Sequence, residues 1–510
     1  MRRGRKQRHD NPPVASAVRP GMTGGRYKPL TEREIERIHQ TALDVLENIG
    51  MGDPIPILKE CALAKGCKIN EHGRLCFPRA LVEDIIAHAG RAITWYGRDP
   101  RHDLDLSGTR VHTYGGGEAV NVLEVGAEHY RPSTILDVYD FSRLVDQLEH
   151  IHAYSRLVVA TELSENLLVC DINTAYASVT GTAKHTSLTF ADAKHVEPTL
   201  QMLHLVAGGA KRFAERPFCH AGGCPIISPL RYGDDNSEVC VEATKFGSPV
   251  WVVMAPQAGA TAPAALAGTL VQVIAETLAA LLLVDLVAPQ YPVILGPWPF
   301  VSDLRTGAFT GGSGEEAILS AAAAQIINHY DLVSSVGAGM TDAKSPDNQS
   351  GYEKGITVAL AALAGCNNVS ESAGMVGSLM GCSYEAMVID NDMLGSVLRT
   401  VRGIEVTDET LSYEIIEEVV HGDGHFLRQP QTLELMRSEY AYPEIGDRGT
   451  PSEWEVQGSP DARQRAGERA RALLSSYYPE YIDPAIDSKI RDQFPIVLAR
   501  EDMQPGNGRW

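Results

Sequence analysis

Residues 249–298, "PVWVVMAPQAGATAPAALAGTLVQVIAETLAALLLVDLVAPQYPVILGPW", contain the pattern that decides the fold. Two short apolar runs, 249–255 and 292–298, flank a long apolar stretch, 266–288, that has the length of a helix. Parallel strands need a long crossover connection, so a strand, a helix and a strand in this order predict a βαβ unit. Both runs are continuously apolar, which is typical of strands that are buried on both faces.

The same rhythm of short apolar run and helical stretch extends in both directions. The further runs are "YSRLVVA", "HTSLTF", "PFCHAGG", "DLVSSVG" and "NNVSES". Seven such units predict an α/β protein with a (β/α)8 TIM-type barrel at residues 151–405. Two segments compete as the eighth strand, "RVHTY" at 110–114 and "AMVID" at 386–390.

Two extensions flank the predicted barrel. Residues 26–150 form an N-terminal α/β portion, in which Thr31 and Glu34 make a helix capping box and a hairpin turns near His72. Residues 406–510 form a C-terminal helical extension. Residues 1–25, which begin "MRRGRKQRH", are expected to be a basic, flexible tail.

Composition and charge exclude several classes of function. Lys and Arg number 45 against 65 Asp and Glu, and a net charge of -20 disfavours nucleic acid as a partner. Nine scattered cysteines indicate a reducing, cytoplasmic location. The stretch 266–288 is long enough to span a membrane, but Gln272, Glu276 and Asp285 interrupt it. We therefore expect a buried helix and no membrane partner.

Catalytic groups of such a barrel lie where its parallel strands end, because these ends meet at one mouth. Here the strand ends carry carboxylates and aromatic rings, a lining that suits a permanently cationic ligand. Lys344 or His185 could pair with a carboxylate on that ligand. Each glutamate has the alternative role of capping a helix. The candidate substrate-binding residues are Glu118, His185, Trp298, Phe300, Asp342, Lys344, Gln349, Tyr352 and Glu371.

Other kinds of site find little support. Cys219, His220 and Cys224 alternate along one strand and have no second pair at zinc-ligand spacing, so buried core cysteines are the preferred interpretation. No metal site is expected. The serines lack the G-x-S-x-G turn that a serine nucleophile needs.

The chain resembles the trimethylamine methyltransferase family, the corrinoid-dependent amine methyltransferases. The resemblance rests on "GGRYKPLTEREIERIH", "YGGGEAVNVLE", "CPIISPLRY", "APQAGATAPAALAGTLVQVIAETLA", "TDAKSPDNQSGYEK" and "YYPEYIDPAIDSKIRDQFP". It implies a (β/α)8 barrel that is a homo-oligomer and passes a methyl group from a small methylated amine to Co(I). The corrinoid is carried by a separate protein docked over the mouth, so no tightly bound cofactor is expected.

Trimethylamine enzymes of that family carry pyrrolysine near the segment "DNQSGYEK", where this chain has ordinary residues, with Gly351 or Tyr352 as the counterpart. The resemblance is therefore to the branch that lacks pyrrolysine, which demethylates quaternary amines such as glycine betaine, proline betaine or carnitine. A quaternary ammonium departs as a neutral tertiary amine, so no catalytic residue beyond those that orient the substrate is expected.

Three alternatives remain open. The first is a methyltransferase acting on a tertiary amine of the trimethylamine type. The second is a barrel lyase or aldolase with Lys344 or Lys184 as a Schiff-base amine. The third is a protein that binds quaternary amines without catalysis.

Overall fold

Eight parallel strands form the centre of the molecule. The computed structural model describes residues 16–510, and residues 1–15 of the predicted tail lie outside this range. In chain order the strands are β1 Arg110–Thr113, β2 at Ala153 and Tyr154, β3 Thr186–Thr189, β4 Cys219–Gly223, β5 Val250–Met254, β6 Val293–Pro297, β7 Ser335–Gly337 and β8 Asn368–Ser370.

These strands close into a barrel. Parallel ladders join β3 to β4, β4 to β5, β5 to β6, β7 to β8, and β8 back to β1. Single bridges complete the circuit, Leu295 with Ser334 between β6 and β7, and Tyr154 with Thr186 between β2 and β3. The bridge of Tyr114 with Ala153 joins β1 to β2. The predicted (β/α)8 barrel is confirmed.

The first strand lies earlier than predicted. Arg110–Thr113 is β1, and 386–390 belongs to a helix, so the choice left open by the sequence falls on "RVHTY". The predicted barrel start at residue 151 is therefore wrong. A strand pair, Asn121–Leu123 and Tyr130–Pro132, intervenes between β1 and the first barrel helix and interrupts the βα rhythm there.

A helix follows each strand and covers the outside of the barrel. The helices are α1 Ile135–Gln147, α2 Leu167–Gly181, α3 Val196–Ala207, α4 Asp234–Ala243, α5 Leu266–Val287, α6 Gly314–His329, α7 Asn348–Leu363 and α8 Tyr384–Arg402. By length and composition α5 could cross a membrane, but most of its residues are buried within the protein. Even Glu276 is buried, and it accepts bonds from Ser228 and the Leu230 amide. The expected buried helix is confirmed.

The N-terminal portion packs against α5 and closes the end of the barrel where the strands begin. It contains the helices Glu32–Asp44, Pro56–Ala64 and Arg79–His88, and the hairpins Lys68–Ile69 with Leu75–Cys76 and Thr94–Trp95 with Leu104–Asp105. The capping box of Thr31 and Glu34 is present. Met22 and Thr23 pair with β1, so the predicted tail does not extend to residue 25.

The C-terminal portion is helical, as predicted. Its helices are Tyr413–His421, Pro430–Ser438, Pro451–Val456, Ala462–Ser476 and Pro484–Gln493. Ala462–Ser476 buries Ala470 and Leu474 against the barrel. Arg509 reaches two buried carboxylates on α1, Asp137 and Asp140, and thereby fixes the last residues to the barrel.

Candidate active site

The mouth of the barrel holds a buried glutamate next to two glycines. Glu371 directly follows β8. Its carboxyl group lies against Gly116 and Gly117, which follow β1 in the sequence. A Cβ atom on Gly116 would come within 2.8 Å of Oε1, and one on Gly117 within 2.6 Å of Oε2. Gly117 also has a φ of +122°, which strongly favours glycine. The glycines thus make room for the carboxyl group.

Glu371 is an unusual carboxyl group. Only 4% of the residue is exposed, and its φ is +58°. In the part of the chain that the structure describes, its Oε2 atom has no hydrogen-bond partner. Burial, together with the charge of nearby Glu118, raises the pKa of Glu371 to about 8. Loss of water disfavours the ionised form of a carboxyl group. Glu371 is therefore largely protonated at neutral pH.

Glu118 is held in the opposite state. Its Oε2 lies 2.5 Å from Nη2 of Arg156, and its Oε1 accepts a bond from the Thr189 hydroxyl at 2.6 Å. Burial opposes ionisation, but the Arg156 charge and these bonds outweigh it and lower the pKa of Glu118. The side chain is 37% exposed, so the mouth is open to solvent above it. The mouth thus contains one neutralised ion pair and one titratable carboxyl group.

Aromatic rings line the barrel interior up to the mouth. The ring centroids of Trp251 and Trp298 are 5.7 Å apart, and those of Trp298 and Phe300 are 6.0 Å apart. Trp298 lies over Gly337 at the end of β7, where a Cβ atom would come 3.0 Å from the indole. Tyr114, at the end of β1, packs edge-on against Trp251. Aromatic faces of this kind bind quaternary ammonium groups.

Several polar atoms in this interior have no hydrogen-bond partner among residues 16–510. They are Tyr114 Oη, Ser187 Oγ, Trp298 Nε1 and Glu371 Oε2, and all four are buried. Burying an unpaired polar atom costs free energy, and native proteins contain few of them. Their concentration in one barrel makes hydrogen-bonding groups available to a small molecule bound there.

His185 does not lie at the mouth. It precedes β3, at the end of the barrel where the strands begin, and Trp95 stacks on it at 5.0 Å. Its nitrogens contact the Tyr96 carbonyl and Nδ1 of His220. Burial lowers the pKa of His185 to about 3, so it cannot pair with a substrate carboxylate at neutral pH. The predicted role is therefore wrong, because His185 is the first residue of the run "HTSLTF" and lies where the strand begins, whereas the mouth lies where the strands end.

Most of the polar residues after β7 form hydrogen bonds with other protein groups and thereby stabilise the loops around them. Asp342 accepts bonds from the Gly311 amide and the Ser378 hydroxyl. Gln349 donates to Glu353, which also binds the Thr341 hydroxyl and the Asp342 amide. Asp342 and Gln349 thus have structural hydrogen bonds, and their contact with a substrate stays a prediction.

The other candidates of this segment are exposed. Gly351 and Tyr352 lie on the outer face of α7, and 65% of Tyr352 is exposed. Lys344 is exposed in the loop before α7, where its ammonium contacts the Asp342 carbonyl. Of the predicted residues, the structure brings Glu118, Trp298, Phe300 and Glu371 to the mouth.

Sequence reasoning missed four residues of the mouth and the interior. They are Arg156, Thr189, Cys224 and Trp251. Cys224 is no core residue, since solvent reaches it through the mouth. The position of Cys224 directly after β4 was the sequence feature that could have identified it as a residue of the mouth.

Known proteins resemble this chain over most of its length. The family model described as "Trimethylamine methyltransferase (MTTB)" matches residues 1–500. The trimethylamine methyltransferase MttB of Desulfitobacterium hafniense is 31% identical over 93% of this chain and 94% of its own length. The glycine betaine methyltransferase of the same species, strain Y51, is 28% identical over 91% and 96%.

A solved structure is also similar. The monomethylamine methyltransferase of Methanosarcina barkeri covers 89% of this chain and 95% of its own chain, with a TM-score of 0.47 and 12% identity. The match of the family model over nearly the whole sequence carries the assignment. The chain belongs to the trimethylamine methyltransferase family, a family of amine methyltransferases.

Proposed function

We propose that this protein transfers a methyl group from a quaternary amine, of the glycine betaine, proline betaine or carnitine type, to the Co(I) of a corrinoid held by a separate protein. The observation that carries the proposal is the buried Glu371 carboxyl group beside an aromatic interior. A carboxyl group that ionises when a cation arrives, next to indole faces, fits an onium ion.

The residues of the mouth bind and orient the amine. Trp298 and Phe300 contact the methyl groups, and Glu371 balances the positive charge on nitrogen. The corrinoid supplies the nucleophile, and the carbon–nitrogen bond breaks as the new carbon–cobalt bond forms, with the electron pair staying on nitrogen. Orienting one methyl group in line for attack lowers the barrier without acid, base or covalent help from the protein.

The charge balance of the mouth agrees with this reaction. The amine loses its positive charge in the transition state, so a strong anionic cage would slow the reaction. Arg156 neutralises Glu118. Of the mouth residues named above, Glu371 is then the one acidic group without a paired positive charge. One carboxyl group with a pKa near neutrality binds the cation and takes up a proton again when the neutral product forms.

A second candidate function is methyl transfer from trimethylamine, the substrate in the name of one relative. One observation favours it: a protonated Glu371 could give its proton to a tertiary amine. The protonated amine would then lose one methyl group and leave as a neutral secondary amine. In that case Glu371 is a proton donor and not only a counter-charge.

The pH dependence of binding separates the two functions. If an onium ion binds, Glu371 must release its proton, so the Kd falls about tenfold per pH unit up to pH 8 and is constant above it. Calorimetry in buffers of different ionisation enthalpy should report the release of one proton near pH 7. Trimethylamine is itself protonated near pH 7 and would release the same proton, but above about pH 10 it becomes a neutral amine. Its binding should then weaken, whereas the binding of a quaternary amine stays constant.

Turnover itself is followed by the absorbance of Co(I). Reduced cobalamin is mixed with the protein and with glycine betaine, carnitine, choline or trimethylamine, and loss of the Co(I) spectrum reports methyl transfer. Turnover of trimethylamine with all quaternary amines inert would contradict the proposal. Binding of betaine by calorimetry with no methyl transfer to cobalamin or to a corrinoid protein would identify a binding protein.

Lys344 tests the recognition of a substrate carboxylate. Lys344 is exposed and its ammonium contacts the Asp342 carbonyl, so the ammonium can also pair with an anion from solution. Lys344→Met should raise the KM for glycine betaine by about fivefold, near the upper limit for a solvent-exposed ion pair. The KM for choline, which has no carboxylate, should not change. An equal effect on both substrates, or none, would remove Lys344 from the site.

A further inference from the structure

Residues 375–380 cover the carboxyl group of Glu371. They form the first strand and the turn of a hairpin that follows β8 in the sequence. A Cβ atom on Gly117 would lie 2.6 Å from Oε2 of Glu371 and also 2.6 Å from both Sδ and Cε of Met375. The thioether and the carboxyl group are therefore neighbours. Met375 is 0% exposed, so it contributes to the burial of this carboxyl group.

This cover leaves no room for an amine beside Glu371. Only 4% of Glu371 is exposed, and its Oε2 atom is enclosed. The backbone of Gly116 and Gly117 lies on one side of the carboxyl group, and Met375 lies on another. Of these two, the segment with Met375 is the one that reaches the surface, since 58% of Met380 is exposed. An amine that pairs with Glu371 must therefore displace this segment.

The turn of the hairpin has a strained backbone. Gly377, Ser378 and Leu379 have φ values of +62°, +58° and +68°. The left-handed region is ordinary for glycine, but it costs free energy for a residue with a side chain. Such strain persists where surrounding contacts hold the residue in place, and it is common in segments that switch. Two consecutive strained residues thus favour a different conformation of this turn.

Three hydrogen bonds to the loop after β7 hold the turn in its strained conformation. The Ser378 hydroxyl donates to Oδ1 of Asp342 at 2.6 Å, and the Ser378 amide donates to the Thr341 carbonyl at 2.8 Å. The Gly377 amide donates to the Ala343 carbonyl at 2.7 Å. The bond to the carboxylate is the strong one of the three. A few hydrogen bonds thus oppose the backbone strain, which keeps the free-energy difference between two positions small.

Glycines lie at both ends of this segment. Gly374 precedes it with a φ of +88°, and Gly381 follows it. Glycine changes its backbone dihedral angles at the lowest steric cost, and hinges often use small residues. The strand Gly381–Ser383 is also paired with Asn121–Leu123, which fixes the second half of the hairpin. The segment 375–380 can therefore move while its neighbours stay in place.

We propose that residues 375–380 are a lid that opens to admit the amine to Glu371 and closes again when the amine has left. Opening breaks the three bonds to the loop after β7 and moves Met375 away from the carboxyl group. The strain in the turn offsets part of the cost of breaking these bonds. That an amine enters rests on the proposed function, whereas the opening itself depends on contacts within this chain.

Cys382 reports the position of the lid. It lies opposite Met375 in the hairpin and is 0% exposed, so a thiol reagent reaches it after the lid has moved. Cys366 precedes β8 and is also 0% exposed, so it serves as the internal control for unfolding of the barrel. The protein is treated with iodoacetamide in the absence of amine, and mass spectrometry of the peptides gives the labelling rate of each thiol.

Ser378→Ala removes the bond to Asp342 and should favour the open lid. We expect Cys382 to be labelled about tenfold faster than in the wild type, which corresponds to about 1.4 kcal/mol, with the rate of Cys366 unchanged. Ser228→Ala is the matched control, because it removes a serine–carboxylate bond of similar length, 2.7 Å to Glu276, outside the lid. It should leave the labelling of Cys382 as in the wild type.

Two results would overturn the proposal. One is equal labelling of Cys382 and Cys366 in the wild type, which would mean that the lid moves when the whole protein unfolds. The other is a Ser378→Ala variant whose Cys382 rate is unchanged or rises together with that of Cys366.

An added amine gives a second measurement. Saturating glycine betaine should hold the lid open and raise the labelling rate of Cys382. Binding of betaine by calorimetry without a change in this rate would show that the amine enters by another route, which also contradicts the proposal. If no quaternary amine binds at all, the proposed function fails, and the Ser378→Ala result still decides whether the lid opens.

Discussion

Glu371→Gln is expected to weaken the binding of a quaternary amine about 30-fold, which corresponds to about 2 kcal/mol for losing one partner of a buried charge pair. The amide keeps the shape of the side chain but cannot become an anion. The fall of Kd between pH 6 and 8 should therefore disappear in the variant. Calorimetric titration with a betaine at several pH values measures both effects.

The same substitution should make the protein more stable at high pH. Glu371 has a pKa of about 8 in the folded protein, against 4.5 for an ordinary glutamate. The unfolded chain thus loses this proton before the folded protein does, so the group lowers the unfolding free energy as pH rises from 4.5 to 8. Glu371→Gln should raise the melting temperature at pH 8.5 and change it little at pH 4.5.

Glu162→Gln is the matched control for both measurements. Glu162 is an exposed carboxylate near the strand ends, and its Oε1 accepts a bond from the Ile135 amide at the start of α1. It should leave the pH dependence of binding unchanged. If Glu371→Gln binds a betaine as tightly as the wild type at pH 8, Glu371 is not the counter-charge.

Lys184→Met is expected to lower the unfolding free energy by about 3 kcal/mol, because an unsatisfied buried acceptor costs about 1–3 kcal/mol. Lys184 is 4% exposed, and its ammonium donates to the carbonyls of Val145, Leu148 and Ile151 at 2.6–2.7 Å. These carbonyls lie at and after the end of α1, where the helix leaves its acceptors unpaired. Methionine fills the space but leaves three buried acceptors without a donor.

Chemical denaturation at pH 7 measures this loss, with Lys344→Met as the control. Lys344 is exposed, so the same substitution there should change stability by less than about 0.5 kcal/mol. Burial lowers the pKa of Lys184 to about 8, so it is still mostly charged at pH 7 and can donate to all three carbonyls. A stable Lys184→Met variant would show that the carbonyls find other partners.

The position of Lys184 also bears on the lyase or aldolase alternative. A Schiff-base amine must be reached by a carbonyl substrate, and the Lys184 ammonium is enclosed at the end of the barrel opposite the mouth. The buried position and three hydrogen bonds assign Lys184 a structural role. Reduction with borohydride in the presence of a carbonyl substrate should leave it unmodified.

Much of the fold could be predicted from local patterns. The apolar runs, the helical stretches and the capping box at Thr31 each depend on neighbours a few residues apart, so the sequence displays them directly. Trp298 and Glu371 were predicted for the same reason, since each lies at the end of an apolar run. The sequence did not reveal where β2 ends. That strand consists of Ala153 and Tyr154 alone, so Arg156 lies at its end although the apolar run continues to residue 160.

The sequence by itself determined the barrel, its order of strands and helices, the helical C-terminal portion and the family. Only the tertiary structure decided which strand closes the barrel, that His185 lies at the opposite end, and that Arg156 neutralises Glu118 across 38 residues of chain. These features depend on contacts between residues far apart in sequence. The raised pKa of Glu371 is of the same kind, because it arises from burial that exists only after the barrel has closed.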